Sequence, residues 1–203
     1  MHIVVFGAGR VGKALVKILQ ERKHKVTVVD ADRSVCDEVA GETDASVICG
    51  DVSDPKLMEE LKLDKADFVF AVTGSEETNF LVSMYAKHMN AKNVISRASE
   101  EKYSQLMGKL GVEPLVPEQT LARELANMVL NPLISRMLDP TFSGVEMFEK
   151  EVSGDLRDKT VAEAGKKHDF VIVSVFTDGK FVPPAPDFVL KEGMTVVVVR
   201  HNV

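Results

Sequence analysis

"GAGRVGKALVKILQERKHKVTVVDAD" fills residues 7–32, and its reading decides the fold. Gly7, Gly9 and Gly12 stand at G-x-G-x-x-G spacing, and Asp30 follows eighteen residues after the last of them. Upstream, HIVVF (2–6) reads as a short buried strand. From Val11 the apolar positions Val11, Ala14, Leu15, Ile18 and Leu19 recur at helical spacing, giving a helix to about Arg22. KVTVVD (25–30) is the second strand. In this strand–loop–helix–strand setting Gly7 permits the tight turn, Gly9 lets the backbone approach a pyrophosphate, and Gly12 lets helix and strand pack closely. The phosphates sit on the unpaired amides at the positive end of the helix. The spacing alone is weak evidence; its setting, with an acid ending the next strand, makes it a nucleotide site.

The alternation continues down the chain. Strands are expected at 45–49 (ASVIC), 67–72 (DFVFAV), 93–96 (NVIS) and 112–116 (VEPLV), the last confined to an edge by Pro114. Between them, Val35, Val39 and Ala40 suggest a helix that stops near Gly41, and Asp54–Pro55 is a helix start with its cap and first residue in place. Residues 76–89 form a helix with Phe80, Leu81, Met84 and Met89 inward, and 100–110 another. Strands alternating with helices give an α/β fold, a Rossmann-like doubly wound parallel sheet that takes its ligand at the carboxyl ends of the strands. A long helix from Glu118 to about Met137 carries two apolar stripes, Leu121, Leu125 and Met128 on one and Ala122, Ala126, Val129, Leu133 and Met137 on the other. Such a helix needs two surfaces to bury it: the sheet and a C-terminal domain, or a second subunit. Asn131–Pro132 should kink or break it.

Three segments follow: 1–137 for the nucleotide-binding part with this helix, 138–144 (LDPTFSG) for a linker, and 145–203 for a small C-terminal α+β domain. In the last, strands are expected at 145–152, 170–177 and 194–200 with a short helix near 160–167. Asp178–Gly179 signals a hairpin, and Pro183, Pro184 and Pro186 mark an irregular exposed crossing.

Composition narrows the function. A net charge of −6 with no dense basic stripe argues against nucleic-acid binding. The longest apolar runs, such as VVVV at 196–199, are far below the roughly 20 residues of a membrane span, and no signal peptide is visible. The expected location is the cytoplasm, or a docked position at a membrane. Cys36 and Cys49 show no metal or redox spacing and are expected to be reduced core residues.

Asp30 is the acid expected to accept hydrogen bonds from ribose hydroxyls. Asp30 and Asp32 together disfavour a 2′-phosphate, since like charges about 4 Å apart repel by up to roughly 4 kcal/mol at an effective dielectric of 20; Arg33 offsets part of that. Arg10, inside the loop, is placed for phosphate. Asp51 ends the third strand and either lines an adenine pocket or caps the next segment. Thr73 or Ser75 caps the helix after strand four and presents amides to a ligand. Glu77 and Asn79 read as solvated helix residues on the residues alone, while Arg97 and Glu118 point to the same sheet edge. No proton-transfer set is recognisable: Tyr85 and Tyr103 are followed four residues on by Met89 and Met107, not lysine, and His2, His24, His88, His168 and His201 are scattered. No metal set or nucleophile elbow occurs in the sequence.

GAGRVG (7–12), VVDAD (28–32), GDVSD (50–54), AVTGSEETN (71–79), SRA (96–98) and VPE (116–118) together resemble the regulator of potassium conductance family, the RCK or KTN fold that forms the cytosolic gating part of TrkA-like potassium uptake systems. The resemblance covers about 1–135 strongly and 145–203 more weakly, the latter being similar to the family's small ligand-binding C-terminal domain. It implies a non-enzymatic regulatory subunit that binds NAD(H) or ATP/ADP, dimerises through the long helix, and joins a ring beneath an integral-membrane potassium-translocating subunit, at the inner face of the membrane. Carried onto this chain, the cofactor-binding set is Gly7, Ala8, Gly9, Arg10, Val11, Gly12, Asp30, Asp32, Arg33, Asp51, Val52, Thr73, Gly74, Asn79, Arg97 and Glu118, with no catalytic or metal residues. Glu118 is similar to an acid near the subunit interface. The alternative from the glycine loop alone is a small NAD-dependent oxidoreductase.

Overall fold

The computed structural model describes residues 1–138 and 144–201. The chain runs β1 (His2–Phe6), α1 (Arg10–Glu21), β2 (Lys25–Asp30), α2 (Arg33–Glu42), β3 (Ser46–Cys49), α3 (Pro55–Glu60), β4 (Phe68–Ala71), α4 (Glu76–His88), β5 (Asn93–Arg97), α5 (Glu101–Lys109), β6 (Glu113–Leu115), α6 (Pro117–Leu130) and α7 (Pro132–Leu138). There follow β7 (Val145–Glu151), α8 (Val161–His168), β8 (Val171–Thr177), β9 (Lys180–Val182) and β10 (Thr195–His201). It divides into two compact units, Met1–Ala122 and Arg123–Val203.

The first unit is a six-stranded parallel sheet in the order β3-β2-β1-β4-β5-β6. Its two central strands, β1 and β4, are apolar apart from His2 because helices cover both faces. Along β1, Ile3 and Val5 join the layer under α1 and α2 with Val16 and Val39, while Val4 and Phe6 join the layer with Met58, Val82, Ala86 and Met107 of α3, α4 and α5. The connection reverses direction between β1 and β4, and the crevice that opens there at the strand ends is where this topology takes ligands. β6 pairs only with β5, the edge position that Pro114 requires. Asp54 caps α3 by accepting from the Lys56 amide, with Pro55 at the first helical position.

Several side chains depart from the sequence reading. In α1 the buried residues are Gly12 and Val16, flanked by partly buried Leu15 and Leu19, while Val11, Ala14 and Ile18 face outward. Gly12 decides between these two stripes, because its backbone must sit on the Gly7 carbonyl, and that fixes the helix's rotation. In α4, Asn79, Val82, Ser83 and Ala86 are buried; Phe80, Leu81 and Met89 pack at the margin, and Met84 is exposed rather than inward. Cys36 is buried as expected, but Cys49 is exposed, since it ends an edge strand.

The long helix is two helices broken at Asn131, with Pro132 starting α7 as a proline must. Neither contains a buried residue, and Leu125, Val129 and Leu133 are 55%, 78% and 78% exposed. That is why the division falls inside α6, between Ala122 and Arg123, instead of after residue 137: the helix is committed to neither core. Of the expected linker, residues 139–143 lie outside the described residues.

The second unit holds an antiparallel sheet, β7-β10-β8-β9, with α8 packed on its core of Val152, Leu156, Ala164, Ile172, Val175, Leu190, Val196 and Val198. Asp178 and Gly179 both take positive φ, as the hairpin signal demands, and the turn leads into β9, a fourth strand beyond the three expected from the sequence. Thr160 and Glu163 cap α8 reciprocally.

Candidate functional site

β1 delivers the chain into the turn Gly7–Gly9 at the switch point. Gly7 has φ +96°, and a β-carbon there would stand 2.8 Å from the backbone of Thr73, so the loops after β1 and β4 touch only because residue 7 lacks one. A β-carbon on Gly12 would lie 1.9 Å from the Gly7 carbonyl oxygen. Gly9 differs: a β-carbon there meets no atom within 4 Å. It caps α1 with no side-chain hydrogen bond, and its carbonyl accepts from the Lys13 amide at 2.9 Å. The amides of the first turn, at Arg10, Val11 and Gly12, have no partner within the helix, and the turn is open at Gly9. This is the form that a phosphate-binding helix start takes, and it fits an anionic group. Arg10 and Val11 are exposed beside it, and Ala8 is buried beneath.

Asp30 ends β2 and is held in front of this turn. One carboxylate oxygen accepts from the Ala8 amide at 2.7 Å, the other from the Asp32 amide at 2.9 Å. Each oxygen keeps a further lone pair for a ribose hydroxyl. The Asp32 side chain caps α2, accepting from the Ser34 amide at 2.8 Å and the Val35 amide at 3.4 Å. Hydrogen bonds from Ser34, side chain first, hold its carboxyl below the usual range, so it remains an anion near Asp30. Arg33 pairs with Asp37 at 3.2 Å on the exposed side of α2.

After β3, Gly50 donates its amide to the Asp30 carbonyl at 2.9 Å, which ties this loop to the end of β2. Asp51 accepts from the Ser53 amide at 2.8 Å, and that bond is the main reason its carboxyl is held low. Val52 is buried in the core. After β4, Ser75 caps α4 by accepting from the Thr78 amide at 3.1 Å, and the Thr73 hydroxyl lies 3.0 Å from the Ser75 carbonyl. Gly74 is exposed at the tip.

Asn79 is not solvated. It is 1% exposed, and its side-chain oxygen accepts from the Thr73 amide at 2.9 Å and from the Thr73 hydroxyl at 2.8 Å. Its amide nitrogen donates to the carbonyls of Thr73 and Arg97, both at 3.3 Å. One side chain thus ties the carboxyl ends of β4 and β5. Glu76, which no sequence signal singled out, adds a second tie by accepting from the amides of Ser99 and Glu100. Glu118 is exposed in the first turn of α6, after β6. That strand stands three strand intervals, roughly 14 Å, from β1. The loop, Asp30, Thr73 and Asn79 converge on the crevice; Asp51 and Arg97 flank it, each at the end of a strand two places from β1.

In the second unit, Glu146, Phe148, Lys150, His168, Phe170 and Arg200 surround a hollow of about 190 Å³, with Arg200 and Glu146 paired at 2.8 Å. His168 lies 3.1 Å from the Asp155 carboxylate.

The match to known proteins covers this crevice. Residues 3–117 match the TrkA-N domain model, more than half of the chain. The chain belongs to the TrkA-N family. It is 30% identical over 200 residues to a Trk system potassium uptake protein TrkA homolog of Methanothermobacter thermautotrophicus, covering 98% of this chain and 93% of that protein. A second TrkA homolog, from Archaeoglobus fulgidus, is 34% identical over 211 residues, and there the chain spans 48% of the relative's length. Among solved structures, the GsuK RCK domain aligns over 98% of this chain and 44% of its own, with a TM-score of 0.53 at 22% identity. The TrkA-N domain of the Escherichia coli inner membrane protein ybaL covers 63% of this chain and 96% of its own, with a TM-score of 0.58 at 18% identity. A GsuK channel bound to NAD aligns over 98% of this chain and 36% of its own, with a TM-score of 0.52 at 20% identity. At these identities the structural matches establish the fold alone: a Rossmann-like sheet followed by a small antiparallel domain. Among the described residues, no helix is long and apolar enough to cross a membrane.

Proposed function

We propose that this TrkA-N family protein is a regulatory, non-catalytic subunit of a potassium transport system that senses NAD(H) or an adenine nucleotide. The open amide turn at Gly9, faced by a carboxylate that two backbone amides hold in place, carries the reading. The pyrophosphate takes the α1 amides and Arg10, a ribose hydroxyl pair takes Asp30, and the adenine lies toward Asp51. Asp32, held anionic beside Asp30, selects against a 2′-phosphate. The potassium-uptake names of its relatives support a membrane potassium-translocating partner, with this chain at the cytoplasmic face. The exposed apolar residues of α6 and α7 support pairing of two copies through that segment and assembly into a larger ring. The domain scheme we propose is 1–137 for the nucleotide-binding domain with the α6–α7 segment, 138–144 for the linker, and 145–203 for a C-terminal domain that is a second candidate for ligand control.

Ligand binding shifts a ring only by its differential affinity for two shapes. A phosphate chain bridging Arg10 of one copy and the glycine turn of another supplies such a difference. The test is calorimetry with NAD, NADH, ATP, ADP and NADP. The expected result is binding of one or more of the first four, with NADP weakest. Asp30→Ala should weaken binding by about 1.5 to 3 kcal/mol, the contribution of a hydrogen bond to a charged acceptor. Unchanged affinity in that variant removes Asp30 from the site. Turnover of bound NADH with a carbonyl acceptor would favour the oxidoreductase instead.

A further inference from the structure

We propose that Cys36 and Cys49 are an oxidation site, and that a disulfide between them lowers the nucleotide affinity of the neighbouring crevice. The inference rests on the nucleotide reading above and adds a control to it. The two thiols come from different elements, the first turn of α2 and the last residue of β3, and they meet behind Asp30. The Cys36 thiol donates to the Asp30 carbonyl at 3.4 Å, and the Cys49 sulfur lies 3.9 Å from the carbonyl of Ala31, the next residue. The sheet pairs Cys49 with Asp30, and Gly50 donates to the same Asp30 carbonyl. Burial first, and then the neighbouring Cys49 side chain, push the Cys36 thiol up to about 12.

Their exposures divide the work. Cys49 is open to solvent and Cys36 is buried, so Cys49 is the entering thiol and Cys36 the resolving one. With a low-molecular-weight disulfide as oxidant, the Cys49 thiolate attacks one of its sulfurs, forming a mixed disulfide and releasing one thiol. The Cys36 sulfur then attacks Cys49, gives up its proton, and releases the second thiol. Two electrons and two protons pass from the protein pair to the oxidant, which leaves as two thiols. These are the chain's two cysteines, so no other internal bridge can form.

Closure reaches the crevice through the β2–α2 turn. A bridge holds the two sulfurs at about 2.05 Å, which draws the start of α2 and the end of β3 together. The Asp30 carbonyl loses its thiol donor, and the turn that carries the Asp32 amide shifts. That amide is one of the two holding the Asp30 carboxylate in its binding position. On the other side, Cys49 leads directly into Gly50–Asp51, the stretch assigned to the adenine.

The experiment uses the full chain, reduced and then treated with oxidised glutathione. Intact-mass spectrometry reads the bridge as the loss of two hydrogens, and calorimetry with NAD and ADP reads the affinity. The expected result is an internal bridge reversed by dithiothreitol, and affinity about tenfold weaker in the oxidised form, the scale of one lost charged hydrogen bond. Cys49→Ser, at an exposed position, should keep reduced-form affinity after the same treatment, and Cys36→Ala should stop at a glutathione adduct on Cys49. A stable adduct on the native chain, a Cys49–Cys49 bridge between copies, or a complete internal bridge at unchanged affinity overturns the proposal. The same affinity loss in oxidant-treated Cys49→Ser overturns it as well. If the reduced chain binds neither nucleotide, the crevice reading fails and the switch falls with it; a bridge without effect sinks the switch alone.

Discussion

Replacing Gly9 with alanine or valine should leave the fold intact and remove nucleotide binding, whereas alanine at Gly12 should unseat α1. At Gly9 the backbone has φ −64° and ψ −169°, a conformation any residue adopts, and the added β-carbon meets nothing within 4 Å. Stiffening the unfolded chain favours the variant by about 0.4–1 kcal/mol, and losing glycine at a helix cap costs a similar amount, so the net effect is near zero. At Gly12 the β-carbon would stand 1.9 Å from the Gly7 carbonyl oxygen, and both partners are backbone, so the helix has to lift. Taking about 3 kcal/mol for that overpacking and returning about 1 for alanine's better helix propensity leaves a loss of about 2 kcal/mol. For a chain of this size the melting temperature should fall by roughly 4–8 °C. Binding should respond the other way. Gly9→Val fills the space in front of the α1 amides, and each lost amide–phosphate bond weakens affinity by about 1.5–3 kcal/mol, tenfold or more. Thermal melting by circular dichroism and calorimetry with NAD and ADP separate the two effects. A folded Gly9→Val protein with undiminished affinity would refute the phosphate turn. A Gly12→Ala protein melting at the native temperature would refute the close approach that orients α1.

Asn79→Ala should destabilise the chain by about 2–6 kcal/mol in denaturant titration, because the Thr73 amide and the Arg97 carbonyl are left with no side-chain partner at about 1–3 kcal/mol each. The Asp32 carboxyl is held below its ordinary 3.8, so its charge stabilises the fold above that value and ceases to as pH falls through the lower folded value. The melting temperature of the native chain should therefore exceed that of Asp32→Asn at neutral pH, and the gap should close in acid below 3.8; a gap independent of pH would show that the charge contributes nothing. Leu125→Glu with Val129→Glu should dissociate the native assembly in sedimentation while nucleotide binding persists, since charges buried at a two-fold seam are repeated on both sides. A native chain that sediments as a monomer would leave the apolar residues of α6 and α7 without that explanation.

The parallel sheet is legible in the sequence because its central strands are buried on both faces and its punctuation is unambiguous. Pro114 belongs on an edge strand and sits on one; Asp54–Pro55 starts a helix and does so. Asp178–Gly179 turns a hairpin, but β9 beyond it is a three-residue edge strand, too short to leave a period of its own. Periodicity gives α1 as a helix but leaves its buried face open, because two apolar stripes run along it, 11–14–18 and 12–15–16–19. Hydrophobicity does not rank them. The steric demand of Gly12 against the Gly7 carbonyl does, and that contact joins residues whose partnership depends on how tightly the turn closes.

Asn79 marks where residue-type reasoning misleads and register serves better. An asparagine in the first turns of a helix is ordinarily solvated, but 79, 82, 83 and 86 share one helical face, and Val82 and Ala86 must point to the sheet. A polar side chain on a buried face has to find partners, so its position already implies hydrogen bonds to nearby strand ends. Their identity depends on tertiary structure. Only after β4 and β5 lie side by side do the Thr73 amide and the Arg97 carbonyl fall within reach of one amide group. Asn79 therefore acts on the crevice from below: it fixes the loop after β4, and that loop touches Gly7 across the switch point. The same logic separates the candidate residues into two kinds. Asp30 and the Gly9 turn present free hydrogen-bonding capacity to a ligand, whereas Asn79, Asp32 and Val52 spend theirs, or their apolar surface, on holding the walls. In the first group, substitutions at Gly9 should change affinity at constant stability, while those at Asp30 should change both, since its carboxylate also holds the Ala8 and Asp32 amides. Those in the second should change stability first and affinity through it, and calorimetry paired with melting on the same variants distinguishes the two groups.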